Sequence, residues 1–207
     1  MLRTSVLVAA LAVFAVSPAA AAPITLDFEG VGNGNQVGTF YLAMGITFTG
    51  ATAITDSPEG IPQLANLPSP ITVANAGEAG ILVSVPGGFT NSVSVFYNVH
   101  TNGGGVQVFS TTNGTGSPLA TSAGVIDNRS NCNAGENPGD PACWALRTVN
   151  FSGTGLSIRL PSISSSALYD NLSLNLVEQQ QVVPEPGSMI LLGSGLVALA
   201  RRRMRKG

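Results

Sequence analysis

Residues 24–29 read Ile24-Thr25-Leu26-Asp27-Phe28-Glu29, a strict alternation that puts Ile24, Leu26 and Phe28 on one face and Thr25, Asp27 and Glu29 on the other. A period of two is the signature of a strand with one buried side. The same logic recurs along the chain and predicts further strands at 45–48, 71–74, 81–85, 92–99, 106–111, 145–151, 156–160 and 168–177, where Leu172, Leu174 and Leu176 alternate again. Turn formers separate them: Gly30-Val31-Gly32-Asn33-Gly34-Asn35, Pro86-Gly87-Gly88, Asn102-Gly103-Gly104-Gly105 and Asn113-Gly114-Thr115-Gly116. No helical period appears before the far C-terminal end. Many short strands at this spacing predict an all-β domain, a single two-sheet β-sandwich of jelly-roll type over residues 23–177.

The charges are segregated. Arg3 lies near the start and Arg201, Arg202, Arg203, Arg205 and Lys206 lie in the last seven residues, six of the nine basic residues in all. Residues 23–186 keep three arginines (Arg129, Arg147 and Arg159) against all eleven acids, a net of −8, and contain no lysine. That field repels phosphate and excludes nucleic acid as a partner.

Both chain ends read as addresses. Arg3, a short apolar run over 5–16 and the small residues Ala20, Ala21 and Ala22 have the layout of a secretory signal peptide over 1–22, cleaved after Ala22. The reading implies the Sec machinery and signal peptidase as partners; its alternative is a retained anchor. At the other end, a linker over 178–186 finishes in Val183-Pro184-Glu185-Pro186, followed by an apolar run over 187–200 and the basic cluster 201–207. Fourteen residues as a helix measure about 21 Å, against a hydrocarbon core of about 30 Å. Such a helix halts translocation but is a marginal permanent anchor. The cluster Arg201, Arg202, Arg203, Arg205 and Lys206 places the C-terminus on the cytoplasmic side and the domain outside.

Proline-Glu-proline, a short apolar helix and terminal arginines, in that order over residues 183–207, resemble the PEP-CTERM sorting signal. The resemblance implies recognition and processing by an exosortase, a Gram-negative host with exopolysaccharide loci, and a mature protein of the cell envelope or extracellular matrix that is anchored in the inner membrane only transiently. The opening of the domain, "ITLDFEGVGNGNQVGTFYLAMGITFTGA", and its closing "YDNLSL" are similar to β-sandwich domains that precede such tails and that look like the jelly rolls of carbohydrate-binding modules.

Within the domain, Cys132 and Cys143 are the only cysteines. Their spacing and an oxidising destination predict a loop disulfide, with metal binding as the alternative. Trp144 then packs against the bridge or offers a platform for a sugar. First and last strands lie close together in a jelly roll, so Glu29, Asp170 and Asp27 are candidate ligands of a structural Ca²⁺, loop carbonyls completing the oxygen set. The alternative is that these acids are solvated or cap turns. No third acid follows Asp27 and Glu29 in the pattern of jelly-roll glucanases, His100 is the sole histidine, and no Gly-x-Ser-x-Gly elbow occurs. The expected function is therefore non-enzymatic: an exported surface or matrix protein associated with exopolysaccharide, with a secreted glycoside hydrolase or an adhesin as alternatives. An intact mass of the protein from its host is expected to fit a start at Pro23 and an end between Pro184 and Gly187, less two hydrogens for the bridge. A mass extending through Gly207 would make the tail a lasting anchor.

Overall fold

The alternation of Ile81, Val83 and Val85 with Leu82 and Ser84 resumes beyond Pro86-Gly87-Gly88 as Phe89, Val93, Val95 and Tyr97, all buried, between Thr90, Ser92, Ser94 and Phe96. In the computed structural model these residues form one strand, β5 (Ile81–Asn98), and not two strands joined by a hairpin. The structure describes residues 22–55, 67–99, 101–128, 144–162 and 167–177. Residues 1–21 of the signal peptide, the sorting tail, His100 and the Cys132–Cys143 pair lie outside them.

Nine further strands assemble around β5: β1 (Ile24–Leu26), β2 (Thr47–Thr49), β3 (Ala51–Thr55), β4 (Thr72–Ala76), β6 (Gly105–Phe109), β7 (Ala120–Gly124), β8 (Ala145–Asn150), β9 (Gly155–Leu160) and β10 (Ala167–Leu176). All pairings are antiparallel and form one hydrogen-bonded sheet in the order β3-β4-β10-β5-β9-β6-β7, with β1 on β10 and β2 and β8 on β5. The register shows how a single sheet makes two layers. Ser94 of β5 pairs with Ser173 of β10 on one side and Thr148 of β8 on the other, while Ser84 pairs with Thr47 of β2 and Ser157 of β9. The second half of β5 thus belongs to a layer with β8, β10, β1, β4 and β3. Its first half belongs to a layer with β2, β9, β6 and β7.

The layers share one core. Val93, Val95, Tyr169, Leu172 and Leu174 from the first layer join Val83, Val108, Ile158 and Leu160 from the second in a single buried cluster. Burying aliphatic side chains of this size contributes about 1.5–3 kcal/mol each, which is why the inward positions are so uniformly Val, Ile and Leu. Tyr169 spans the layers, its hydroxyl donating to the Pro161 carbonyl at 2.6 Å. Arg147 of β8 also links the layers, donating from Nη2 to the Gly124 carbonyl of β7 at 2.9 Å. Its guanidinium also sits 5.4 Å from the centre of the Tyr97 ring.

The bend in β5 depends on glycine. Gly88 has φ +83, and a Cβ there would meet the Thr154 methyl at 2.6 Å. Beside it the buried Phe89 ring packs edge-on against Phe151, centroids 5.4 Å apart. Strands β3 and β7 were not legible as strands, because Ala51-Thr52-Ala53-Ile54-Thr55 and Ala120-Thr121-Ser122-Ala123-Gly124 carry little apolar weight. Left-handed backbone disfavours a β-carbon by about 1–2 kcal/mol, so Gly88→Ala is expected to lower unfolding free energy by at least that amount in urea titrations. An unchanged midpoint would mean that the bend tolerates a side chain.

Candidate functional site

Strand β1 stops at Leu26 because Phe28 takes a left-handed backbone, φ +63. The conformation is unusual for a bulky residue and is held from both sides. The Phe28 ring is fully buried in edge contacts with Tyr41 and Phe48, and its N–H donates to the Tyr41 hydroxyl at 2.8 Å. The reversal separates the two acids that a regular strand would keep on one face. Asp27 turns back on its own loop, accepting the Glu29 N–H at 3.2 Å. Glu29 reaches instead toward the segment before β4.

That segment reads Pro68-Ser69-Pro70-Ile71-Thr72. The prolines lack an N–H, so Ser69, Ile71 and Thr72 are its remaining backbone donors, and carboxylates take all three. Glu29 Oε1 accepts from Ile71 N and Thr72 N, each at 2.8 Å, and from Ser69 Oγ at 3.2 Å. Glu29 Oε2 accepts from Thr72 Oγ1 at 3.1 Å. Asp170 Oδ2 accepts from Ser69 N at 2.7 Å, and Oδ1 accepts from Asn171 N at 2.7 Å. The β10 ladder shifts register between Asp170 and Ser173, and Asn171 has φ +47. This bulge turns the Asp170 carboxylate out of the ladder and onto Ser69.

The expected meeting of Glu29 and Asp170 therefore occurs, while Asp27 stays out of their network. Ser69 and Thr72, the groups that join them, were not foreseen. Their only signal in the sequence is the Pro-Ser-Pro-Ile-Thr run, and Ser69 lies 101 residues from Asp170. For Ca²⁺ the donor set fits poorly. Both carboxylates face N–H and O–H donors, whose positive ends repel a cation and already take part of the lone pairs it would need, most of all at Glu29 Oε1. Among the described residues no group of three acidic, His or Cys side chains converges. The arrangement is a carboxylate clamp that fastens the start of β4 to β10.

Electrostatics follow from burial. Asp170 is fully buried, which pushes its carboxyl from an ordinary 3.8 up to about 6, against the pull of the Ser69 and Asn171 donors and with a further push from Glu29. Burial also raises Glu29, but donors from Ile71, Thr72 and Ser69 outweigh it and hold Glu29 below the usual carboxylate value. Tyr41 is pushed up to about 12 by burial and by the nearby acids.

A second feature is the outer face of the first layer. Register aligns Thr25, Ser173, Ser94 and Thr148 in one row across β1, β10, β5 and β8. Thr25 Oγ1 and Ser173 Oγ are 2.7 Å apart. One step along the strands lie Ser92 paired with Asn150, and Asn175 paired with Thr90. Pro23, Ser92, Ser94, Ser173, Leu174 and Asn175 line a shallow groove of about 330 Å³ there. In the other direction Phe96 pairs with Leu146, which is 52% exposed. Trp144 is buried with Val73 and Leu168 in a small satellite cluster, so it packs and offers no open platform.

Linkage fixes the sign of the pH response. A folded carboxyl raised to about 6 stabilises the protein fully below pH 3.8, and that contribution fades as pH rises to 6. Glu29, being lowered, acts oppositely and loses its contribution as pH falls below 4.5. Urea unfolding between pH 4 and 6 is expected to show declining stability that Asp170→Asn flattens; parallel profiles would rule the assignment out. Glu29→Ala removes four donors' acceptor and is expected to cost about 2 kcal/mol, whereas exchanging EDTA for Ca²⁺ is expected to leave the melting temperature unchanged.

No curated protein matches the chain. Among solved structures, an adhesin domain (K2) of Lys-gingipain is similar at 15% identity over 75% of this chain and 99% of that one, with a TM-score of 0.49. The β-1,3-glucan-binding CBM6 from Bacillus halodurans is similar at 16% identity over 63% and 89%, TM-score 0.38. A CBM6 from Clostridium stercorarium, solved with cellobiose, is similar at 11% identity over 63% and 87%, TM-score 0.36. With these scores below 0.5, the fold rests on the chain's own strand pairing. Residues 182–206 match the PEP-CTERM protein-sorting motif, which marks the chain as an exported protein of the Gram-negative envelope that is processed by an exosortase.

Proposed function

We propose that the protein is a non-enzymatic surface or matrix component whose β-sandwich holds exopolysaccharide on the outer face of β1, β10, β5 and β8. The observation that supports this reading is the row Thr25–Ser173–Ser94–Thr148. Four strands at about 4.8 Å spacing extend it over roughly 14 Å, giving an extended sugar chain hydroxyl partners at regular intervals. Ser92, Asn150 and Asn175 add polar groups on one side, and the exposed Leu146 offers apolar surface for the face of a sugar ring on the other. No Lys or Arg is needed for a neutral or weakly charged glycan. Each contact is weak, and a repeating polymer multiplies them through effective concentration.

Hydrolysis fits the same residues poorly. A glycosidase needs two carboxyls across an open cleft, while Asp170 is fully buried and shares Ser69 with Glu29. Affinity electrophoresis in gels containing the host's exopolysaccharide is expected to retard the secreted protein without degrading the polymer. Ser94→Ala/Ser173→Ala should weaken retardation about tenfold, as two surface hydrogen bonds are lost. Retardation of the double variant equal to wild type would move the site elsewhere. Failure of the wild type to be retarded would favour an adhesin that contacts proteins.

A further inference from the structure

The segment that follows the left-handed turn at Phe28 carries unusual surface chemistry. Tyr41 is buried to 7% exposure and packs edge-on against Phe28, while its neighbours Phe40, Leu42 and Met44 are 49%, 59% and 52% exposed. A single turn of 3₁₀ helix (Leu42–Met44) ends at Gly45 in the left-handed region, whose N–H donates to the Leu42 carbonyl at 2.8 Å. The turn is thus pinned at its root and presents three large apolar side chains outward. Among the described residues, solvent-facing positions elsewhere are mostly Ser, Thr, Asn and Gly. Apart from Val177, the other large apolar side chains that are exposed, Ile71, Leu119, Ile126 and Leu146, come from four separate stretches of the chain.

The same turn borders the point where the chain leaves the domain. Val177, the last described residue of that segment, donates its N–H to the Gly88 carbonyl at 2.9 Å, which fixes the exit at the bend of β5. Ala43, Met44, Val85, Gly87, Leu176 and Val177 line a groove of about 230 Å³ there, without a charged side chain among its lining residues. Val177 is itself 37% exposed. Eleven residues, 178–188, separate Val177 from Met189, where the strongly apolar part of the run 187–200 begins, and five basic residues follow between 201 and 206. Eleven residues span at most about 40 Å even when fully extended, so while the tail is inserted the exit at Val177 stays within that distance of the bilayer.

We propose that Phe40, Leu42, Met44 and Val177 form a lipid-contact surface. It seats the domain on the outer leaflet of the membrane that holds its tail, before processing releases it. The occupant is the boundary between headgroups and acyl chains. An uncharged apolar patch suits zwitterionic lipid, whereas the net −8 of residues 23–186 disfavours an anionic surface. The contact also orients the protein, turning the groove and the start of the linker toward the membrane. This inference is independent of what the outer sheet face binds.

The test uses the full chain with Leu42→Trp, reconstituted in phosphatidylcholine vesicles with or without bromine on the upper acyl chain. A ring at the depth of an interfacial apolar face, about 5–10 Å into the boundary region, meets the quencher and should lose roughly half its emission. Trp144, buried at 7% exposure, gives the wild-type reference, which should lose little. Met44→Trp repeats the measurement if Leu42→Trp fails to fold. Quenching in either folded variant no greater than in wild type overturns the proposal. So does a blue-shifted, unquenched emission that disappears when residues 187–207 are deleted, since the groove would then hold the chain's own tail.

Discussion

The length of β5 is the constraint on which the rest of the structure depends. Eighteen residues of continuous strand at about 3.3 Å each would extend roughly 60 Å, far more than a domain of this size can cover with a flat sheet. The strand must therefore bend, and Pro86-Gly87-Gly88 provides a place where no inward side chain resists. Once bent, β5 delivers one half to each layer. Its neighbours β8 and β9 follow one edge around the bend, and β10 and β2 follow the other. Two-layer packing and a single core are consequences of this one folded strand.

Much of this was legible in the residues. The alternation from Ile24 set β1, with Leu26 buried and Ile24 half-buried, and strands at 81–85, 92–99, 145–151, 156–160 and 168–177 are present with small shifts at their ends. Pro86-Gly87-Gly88 read as a turn between two strands, and it proved to be a bend within one, because a tight turn and a bent strand ask for the same residues. What separates them is whether the flanking runs pair with each other, and that is a long-range fact. The misses at β3 and β7 have a different cause: Ala, Thr, Ser and Gly become strands there because neighbours supply the pairing, not because of any preference of their own.

The carboxylates show the same boundary between local and distant information. That first and last strands of a sandwich lie close was enough to bring Glu29 and Asp170 together. Period two also placed Asp27 with them, and it failed where Phe28 inverts the backbone. Nor could periodicity foresee that a Pro-Ser-Pro segment would present its few N–H groups to both acids. Those donors change the chemistry of the pair from one that invites a cation to one already satisfied by the chain. The sorting tail, in contrast, is legible as linear order alone, since a membrane enzyme reads it as sequence.

Val177 is anchored beside the bend at the end of β10, and β10 runs along the full second half of β5. Tension applied through the C-terminal tail is thus directed along β10, parallel to its strand axis. The hydrogen bonds to β5, β1 and β4 are then loaded together in shear and are not peeled one at a time. A domain tethered at this end and gripped on the face of β5 and β8 would carry the pull through its longest strand pairing, the geometry in which a β-sheet resists mechanical rupture best.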